Sequence, residues 1–276
     1  MTGVPFVKMH GAANDFVVVD HREPFLPEPA DALLRCLCDR RRGVGADGVL
    51  LLERDPELDF AMRYHNADGG RAEFCGNGAR CLARFALERG LGRAGVVRFR
   101  SGAGVQEARR APDGAIELHF GRVAAPGLPE TLEAAGRAFT GREFRVGVPH
   151  FVIGVAEVGP VPVAEWGVAL RRHARFAPAG ANVDFVARAS AAGGPGPARL
   201  AMRTYERGVE AETLACGSGA IASALWVAGE GARSPVEVLT AGGDVLVVSF
   251  ESVVDGYDVK LTGPAEVSFA GTWGQP

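Results

Sequence analysis

The sequence has 276 residues, room for one large domain or two ordinary ones, and its 47% apolar and 23% charged residues are a globular balance. A net charge of −3 gives no cationic footprint for nucleic acid or an anionic membrane surface. No run approaches a membrane span, and the first residues, MTGVPFVKMHG, lack the apolar core of a signal peptide. Five cysteines, an odd number, fit a reducing compartment better than a disulfide framework, so a cytoplasmic protein is expected.

In chain order, DFVVVD (15–20) and GVLLLE (48–53) read as strands. Between them DALLRCLCDRR (31–41) has apolar spacing near 3.6 and predicts a helix that carries Cys36 and Cys38 as ordinary side chains. The glycines of RRGVGADG are not followed by Lys-Ser/Thr, so they do not make a phosphate loop. EFCGNGARC (73–81) turns through Gly-polar-Gly into a helix, with Cys81 inside it as core. Further on, HFVIGVAEV (150–158), VDFVAR (183–188) and DVLVVSFE (244–251) read as strands, SAAGGPGPARL (190–200) as a loop, and LACGSGA opens a second helix.

The chain also repeats itself. AMRYHNADGGRAEFCGNGARCLARFAL from Ala61 aligns with AMRTYERGVEAETLACGSGAIASALWV from Ala201, with one extra residue before the second cysteine. Before these, NDFVVVD pairs with PHFVIGV, and ADGVLLL pairs loosely with ANVDFVA. After them, VRFRSGAGV pairs with VEVLTAGGDV. The shared order predicts a duplicated α+β domain, with residues 1–120 plus 259–276 as one domain carrying Cys75 and 121–258 as the other carrying Cys216. The closing KLTGPAEVSFAGTW has no place in the second copy and is expected to return to the first domain.

Each copy runs strand, turn, cysteine, Gly-polar-Gly, helix. Glycine permits close backbone approach to a ligand, and first-turn amides lack acceptors within their own helix, so each helix start suits a carboxylate. The helix dipole is expected to lower the pKa of a cysteine there from about 8.5 toward neutrality. Two such cysteines facing each other across an interdomain cleft could remove a proton from one face of an α-carbon and return one to the other. The pattern therefore predicts a racemase or epimerase with no organic cofactor. Neither cysteine has a CxxC partner or a nearby histidine at ligand spacing, so no metal is expected.

With FVKMHGAANDFVVVD, GVGADG, HNADGGRAEFCGNGAR, GVPHFV, NVDFV and YERGVEAETLACGSGA in this order, the chain resembles the diaminopimelate epimerases over nearly its whole length. Proline and hydroxyproline racemases share that fold but typically follow the first cysteine with Gly-His. The resemblance implies a fold of mixed sheets wrapped around central helices. It implies interconversion of LL- and meso-2,6-diaminopimelate for lysine and peptidoglycan synthesis, with Cys75 and Cys216 as acid and base. Gly76, Asn77, Gly217 and Ser218 would hold the reacting carboxylate. Asn14, Asn66, Asn182, Glu206 and Arg207 match substrate-contacting positions: Arg207 suits the distal carboxylate, and Glu206 an ammonium. His150 and Glu206 stand where the family tunes its cysteines. The resemblance also implies a homodimer acting on a small molecule, without nucleic acid, membrane, metal or cofactor. Val148 stands where many members have a substrate-contacting Asn, Gly48 where some have Gln, and ERGVEAET is one residue longer than the frequent form. Competing readings are a cofactor-independent racemase of another amino acid, and a redox-switch or ligand-binding protein using the cysteine pair. Exchange of a substrate α-proton with solvent separates these classes.

Overall fold

The computed structural model describes residues 3–189 and 197–274. The described chain divides into two units, residues 1–119 with 263–276 and residues 120–262.

In the first unit, β1 (Val4–Gly11) and β2 (Asn14–Asp20) form a hairpin. The chain then crosses through α1 (Asp31–Cys38) to β3 (Gly48–Glu53), which lies parallel to β2. The sequence predicted a helix to residue 41. It ends at 38 because Asp39 Oδ1 accepts the amides of Arg41 and Arg42, both at 2.8 Å, and turns the chain out. The glycine run that follows packs on the helix end: a Cβ on Gly43 would lie 2.0 Å from the Cys36 carbonyl oxygen. Beyond it β4 (Phe60–Asn66) pairs antiparallel with β3 and with β5 (Arg71–Ala72), and α2 (Gly76–Glu88) follows. β6 (Val96–Ser101) is parallel to β4, and β7 (Gly104–Arg110) and β8 (Ile116–Ala124) follow as antiparallel neighbours.

The second unit repeats this plan. β10 (Arg137–Val146) and β11 (Val148–Gly154) pair as β1 and β2 do, α3 (Val163–Arg171) makes the crossover, and β12 (Asn182–Arg188) is parallel to β11. Then come β13 (Ala198–Glu206), β14 (Ala211–Thr213), α4 (Gly217–Ala228), β15 (Val236–Leu239), β16 (Val245–Val253) and β17 (Gly256–Gly263). Their pairings match those of β4 to β8 in sense and order. One strand in each copy departs from this simple succession. β9 (Glu130–Ala134) follows the first copy in the chain but pairs with β10, the first strand of the second. β18 (Glu266–Trp273) follows the second copy and pairs with β1, the first strand of the first. Each copy thus gives its last strand to the other. The closing segment has a counterpart after all, in β9.

The helices α2 and α4 are the cores of their units. Nine of the twelve residues of α4 are buried, so it is apolar all round rather than on one stripe. It touches β10, β11, β12, β13, β15 and β16, while α2 touches β1, β2, β3, β4, β6 and β7. Small residues let the strands approach: a Cβ on Gly78 would stand 3.0 Å from Leu50 Cδ2. Burying Ile221, Leu225 and Val227 contributes roughly 1.5–3 kcal/mol each. The fold is therefore α+β, two copies of a mixed sheet wrapped around a central helix.

Two sequence expectations are corrected. The strand expected over 150–158 leaves its ladder after Gly154, although the Val155 amide still bonds Val186. Of the loop expected over 190–200, residues 190–196 lie outside the described residues. From Ala198 the chain is already strand, because Ala198–Ala201 pair with the parallel β15. Among the described residues no helix is long and apolar enough to cross a membrane.

Candidate active site

Cys75 is the N-cap of α2, in extended backbone geometry that swings the chain from β5 into the helix, and no side chain caps it. The Ala79 amide takes the Cys75 carbonyl as the first helical hydrogen bond. The amides of the first turn therefore point out along the helix axis, toward the cysteine end. Cys75 is half-buried, and its Sγ lies 3.7 Å from Asn14 Oδ1.

A directed chain of hydrogen bonds fixes this neighbourhood. Arg80, fully buried inside α2, donates Nη2–H to Asn77 Oδ1 at 2.9 Å, and its Nε donates to the Pro264 carbonyl at 3.3 Å. Asn77 Nδ2 donates to Asn14 Oδ1 at 3.4 Å, and Asn14 Nδ2 donates to Asp47 Oδ2 at 2.6 Å. The chain runs from a guanidinium to a carboxylate, so every amide in it has one orientation. It presents the Asn14 oxygen, not the nitrogen, to Cys75. Asp47 is held by Arg40 at 2.7 Å, and Arg40 also pairs with Asp15 at 2.8 Å. Burial pushes the Asp15 carboxyl upward, but the hydrogen bonds and charges of Arg40 and Lys8 outweigh it and hold Asp15 well below the usual carboxylate range.

Asn66 stands exposed at the end of β4, opposite Gly48 of β3. The absence of a side chain at position 48 has a local cause. A Cβ there would lie 2.5 Å from the His65 carbonyl oxygen and 2.6 Å from the Tyr64 ring. In this chain glycine at 48 is what lets Tyr64 pack beside the strand end.

Cys216 is the N-cap of α4 in the same extended geometry, but it is buried. Its Sγ lies 3.5 Å from Ser218 Oγ, which lies 3.0 Å from His150 Nε2. His150 Nδ1 is 2.7 Å from Asp184 Oδ2, and both side chains are fully buried. Asp184 Oδ1 also accepts the Thr204 hydroxyl at 2.7 Å. Asn182 Nδ2 lies 3.2 Å from His150 Nε2, and Asn182 Oδ1 accepts the Arg207 amide at 2.7 Å. Glu206 Oε2 accepts the Thr213 hydroxyl at 2.9 Å. Val148 occupies the first position of β11, two residues before His150 and so on the same face of the strand.

This environment reverses one expectation. Burial, then the Glu206 and Asp184 carboxylates, push the Cys216 thiol well above its ordinary value. The Ser218 hydroxyl and the Gly219 amide pull it down, and do not prevail. The helix start alone favours a thiolate, but burial, with two carboxylates adding to it, decides otherwise. Burial likewise pushes Cys38 and Cys81 up to about 12, in keeping with core side chains. All five cysteines are free thiols.

Around Cys75 the structure gathers Asn14, Gly76 and Asn77; around Cys216 it gathers Ser218, His150, Asn182, Glu206 and the Arg207 backbone. Asp184, Asp47, Arg80 and Thr213 belong to these networks and were not anticipated. Asp184 had a signal: an acid within the apolar run NVDFVA, on the same face as Asn182.

The family profile described as Diaminopimelate epimerase matches residues 6–125 and 144–266. A diaminopimelate epimerase of Aquifex aeolicus is 41% identical to the chain, covering 96% of both sequences. One of Methanocella arvoryzae is 37% identical, covering 98% of this chain and 97% of its own. The fold recurs in a probable proline racemase of Agrobacterium radiobacter, at TM-score 0.73 and 17% identity over 99% of this chain and 93% of that one. It recurs in a PhzF-family phenazine biosynthesis protein of Bacillus anthracis, at TM-score 0.73 and 12% identity over the whole of both chains. A matched profile over most of the chain and relatives at this identity place it plainly: the chain belongs to the diaminopimelate epimerase family.

Proposed function

We propose that the protein interconverts LL- and meso-2,6-diaminopimelate by two-base proton transfer at one α-carbon, with Cys75 and Cys216 as the bases. Membership of the family supports the substrate. The observation that carries the chemistry is that both repeats place a cysteine as N-cap of a buried central helix, followed by Gly-polar-Gly.

The substrate's reacting carboxylate would be taken by first-turn amides of Gly76, Asn77, Gly217 and Ser218. One sulfur, as thiolate, removes the α-proton. The electron pair moves into the carboxylate, where the two helix starts stabilise the developing charge. The other sulfur, as thiol, donates its proton to the opposite face, and the centre is inverted. At the end the two sulfurs have exchanged protonation states, and the reverse reaction restores them.

Cys216 suits the resting acid, because its surroundings favour the neutral thiol. A substrate ammonium placed against Glu206 would neutralise part of the charge that holds this thiol up, and so ready it to release its proton only when substrate is bound. Arg207 is assigned the distal carboxylate and Asn66 and Asn182 polar contacts to the substrate. The same family reading makes the protein a cytoplasmic homodimer.

The test is incubation of reduced protein with LL-diaminopimelate in D2O, following α-deuteration and the meso product. Both should form in the wild type and be lost in Cys75→Ala and Cys216→Ala. Folded, reduced protein without exchange would sink the assignment, and other amino acids would then be screened in the same way.

A further inference from the structure

The buried pair Asp184 and His150 lies behind Ser218, one hydroxyl away from Cys216. Three contacts constrain the imidazole. At Nδ1, 2.7 Å from Asp184 Oδ2, only an N–H facing the carboxylate is favourable. At Nε2 the neighbour at 3.2 Å is the Asn182 side-chain nitrogen, which can only donate. Its identity as nitrogen is set independently, because the other end of that amide accepts the Arg207 N–H at 2.7 Å. Both sides of the ring therefore demand the same arrangement: proton on Nδ1, lone pair on Nε2. The third contact is the Ser218 hydroxyl, 3.0 Å from Nε2 and 3.5 Å from Cys216 Sγ.

We propose that Asp184 is a positioning residue that locks His150 in its Nδ1–H tautomer, so that the Ser218 hydroxyl can turn between His150 Nε2 and Cys216 Sγ as that sulfur gains and loses a proton. When Cys216 is a thiol, its S–H points at Ser218 Oγ and the hydroxyl donates to Nε2. When Cys216 is a thiolate, the hydroxyl donates to sulfur, and Nε2 keeps the Asn182 donor. In either state Nε2, Ser218 Oγ and Cys216 Sγ each keep a partner, the one Nε2 lone pair being shared between the Ser218 and Asn182 donors in the thiol state, and no heavy atom has to move. Gly219 makes the approach possible: a Cβ there would lie 2.5 Å from Asp184 Oδ1. The role within catalysis rests on the two-base reading above, whereas the tautomer does not.

Asp184→Asn provides the test. Its oxygen would take the Thr204 hydroxyl in place of Oδ1, so its nitrogen would face His150 Nδ1 and require an acceptor there. The proton would move to Nε2, which then confronts the Asn182 donor and drives the Ser218 hydrogen permanently toward sulfur.

The experiment is 15N spectroscopy of histidine-labelled protein, with His150→Gln used to assign one signal among the six histidines, alongside kcat and KM in both directions. In the wild type, His150 should show a protonated Nδ1 and a pyridine-like Nε2. A protonated Nε2 there overturns the proposal, whether or not Asp184→Asn folds. Asp184→Asn should invert the pattern and lower kcat at least tenfold with KM within twofold. Thr204→Val, which leaves the carboxylate in place, should keep the wild-type tautomer. An unchanged tautomer in Asp184→Asn, or a switch in Thr204→Val, would also overturn it. A wild-type protein with the expected tautomer but no α-proton exchange would instead sink the epimerase reading and leave the tautomer standing.

Discussion

Asp47 Oδ2 accepts the Asn14 amide at 2.6 Å, and this contact is the shorter of the two that set which end of Asn14 faces Cys75. Without the carboxylate, the 3.4 Å contact from Asn77 Nδ2 is what remains to hold that orientation, and the amide turns its nitrogen toward the sulfur more readily. Removing a hydrogen bond to a charged group is worth about 1.5 kcal/mol, or roughly tenfold in rate. Asp47→Ala is therefore expected to lower kcat/KM about tenfold. Its thermal unfolding should stay close to the wild type, because Asp47 is exposed. Unchanged kinetics would show that Asn14 does not depend on this anchor.

Gly219 presents the opposite situation, a position where adding one methyl should do harm. Within a helix, alanine is favoured over glycine by about 1 kcal/mol. Here the methyl would meet Asp184 Oδ1 at 2.5 Å and Cys216 Cβ at 3.3 Å. Overpacking of this kind costs about 1–3 kcal/mol, so the clash wins. Gly219→Ala should unfold at lower temperature and lose most activity. A more stable Gly219→Ala would mean that the Asp184 carboxylate has room to retreat.

The raised Cys216 pKa has a visible consequence in solution. Alkylation requires thiolate, and Cys216 is both buried and protonated at neutral pH. With iodoacetamide at pH 7, peptide mapping should find Cys36, which is exposed, labelled well before Cys216. Labelling of Cys216 should rise as pH increases. Rapid labelling at pH 7 would overturn the assignment of Cys216 as the resting acid.

Asp15 provides a prediction for stability against pH. Its folded-state pKa is depressed, mainly by Arg40 and Lys8 acting against burial. A depressed carboxyl contributes its stability above the unfolded value of about 3.9 and loses it as pH falls through the lower folded value. Asp15→Asn should thus destabilise the protein at pH 7, and the difference from wild type should shrink below about pH 4. Urea midpoints at several pH values measure this directly. A difference independent of pH would assign the effect to packing rather than charge.

The duplication, the two helix starts and the cysteines at their caps were legible because each is a local pattern. Gly-polar-Gly after cysteine, or a strand run before it, is decided within a dozen residues. The protonation of Cys216 was not legible, since it is set first by burial and then by carboxylates from β12 and β13, all of which act on the sulfur only in the folded state. Asp184 was half-legible: an acid inside NVDFVA has to find partners, but nothing in the sequence names His150 and Thr204 as those partners. Glycine at 48 could be noticed as a departure, while its reason, the Tyr64 ring, is tertiary. The start of β13 inside a Gly/Pro-rich stretch shows pairing with β15 overriding local composition.

The exchanged last strands bear on the order in which the molecule can be made. Residues 120–262 form one unbroken stretch of chain that holds the described strands β9 to β16 and all of β17 but its last residue. The other unit is not continuous: Val4 pairs with Trp273. During synthesis β1 thus keeps an open edge until residues 266–273 emerge, by which time residues 120–262 have been available to fold. Loop closure over that distance is slow compared with the hairpins around it. β1 is completed only by a strand made more than 250 residues after it, and the interval between is when this chain is most exposed to pairing with a neighbour's edge instead of its own.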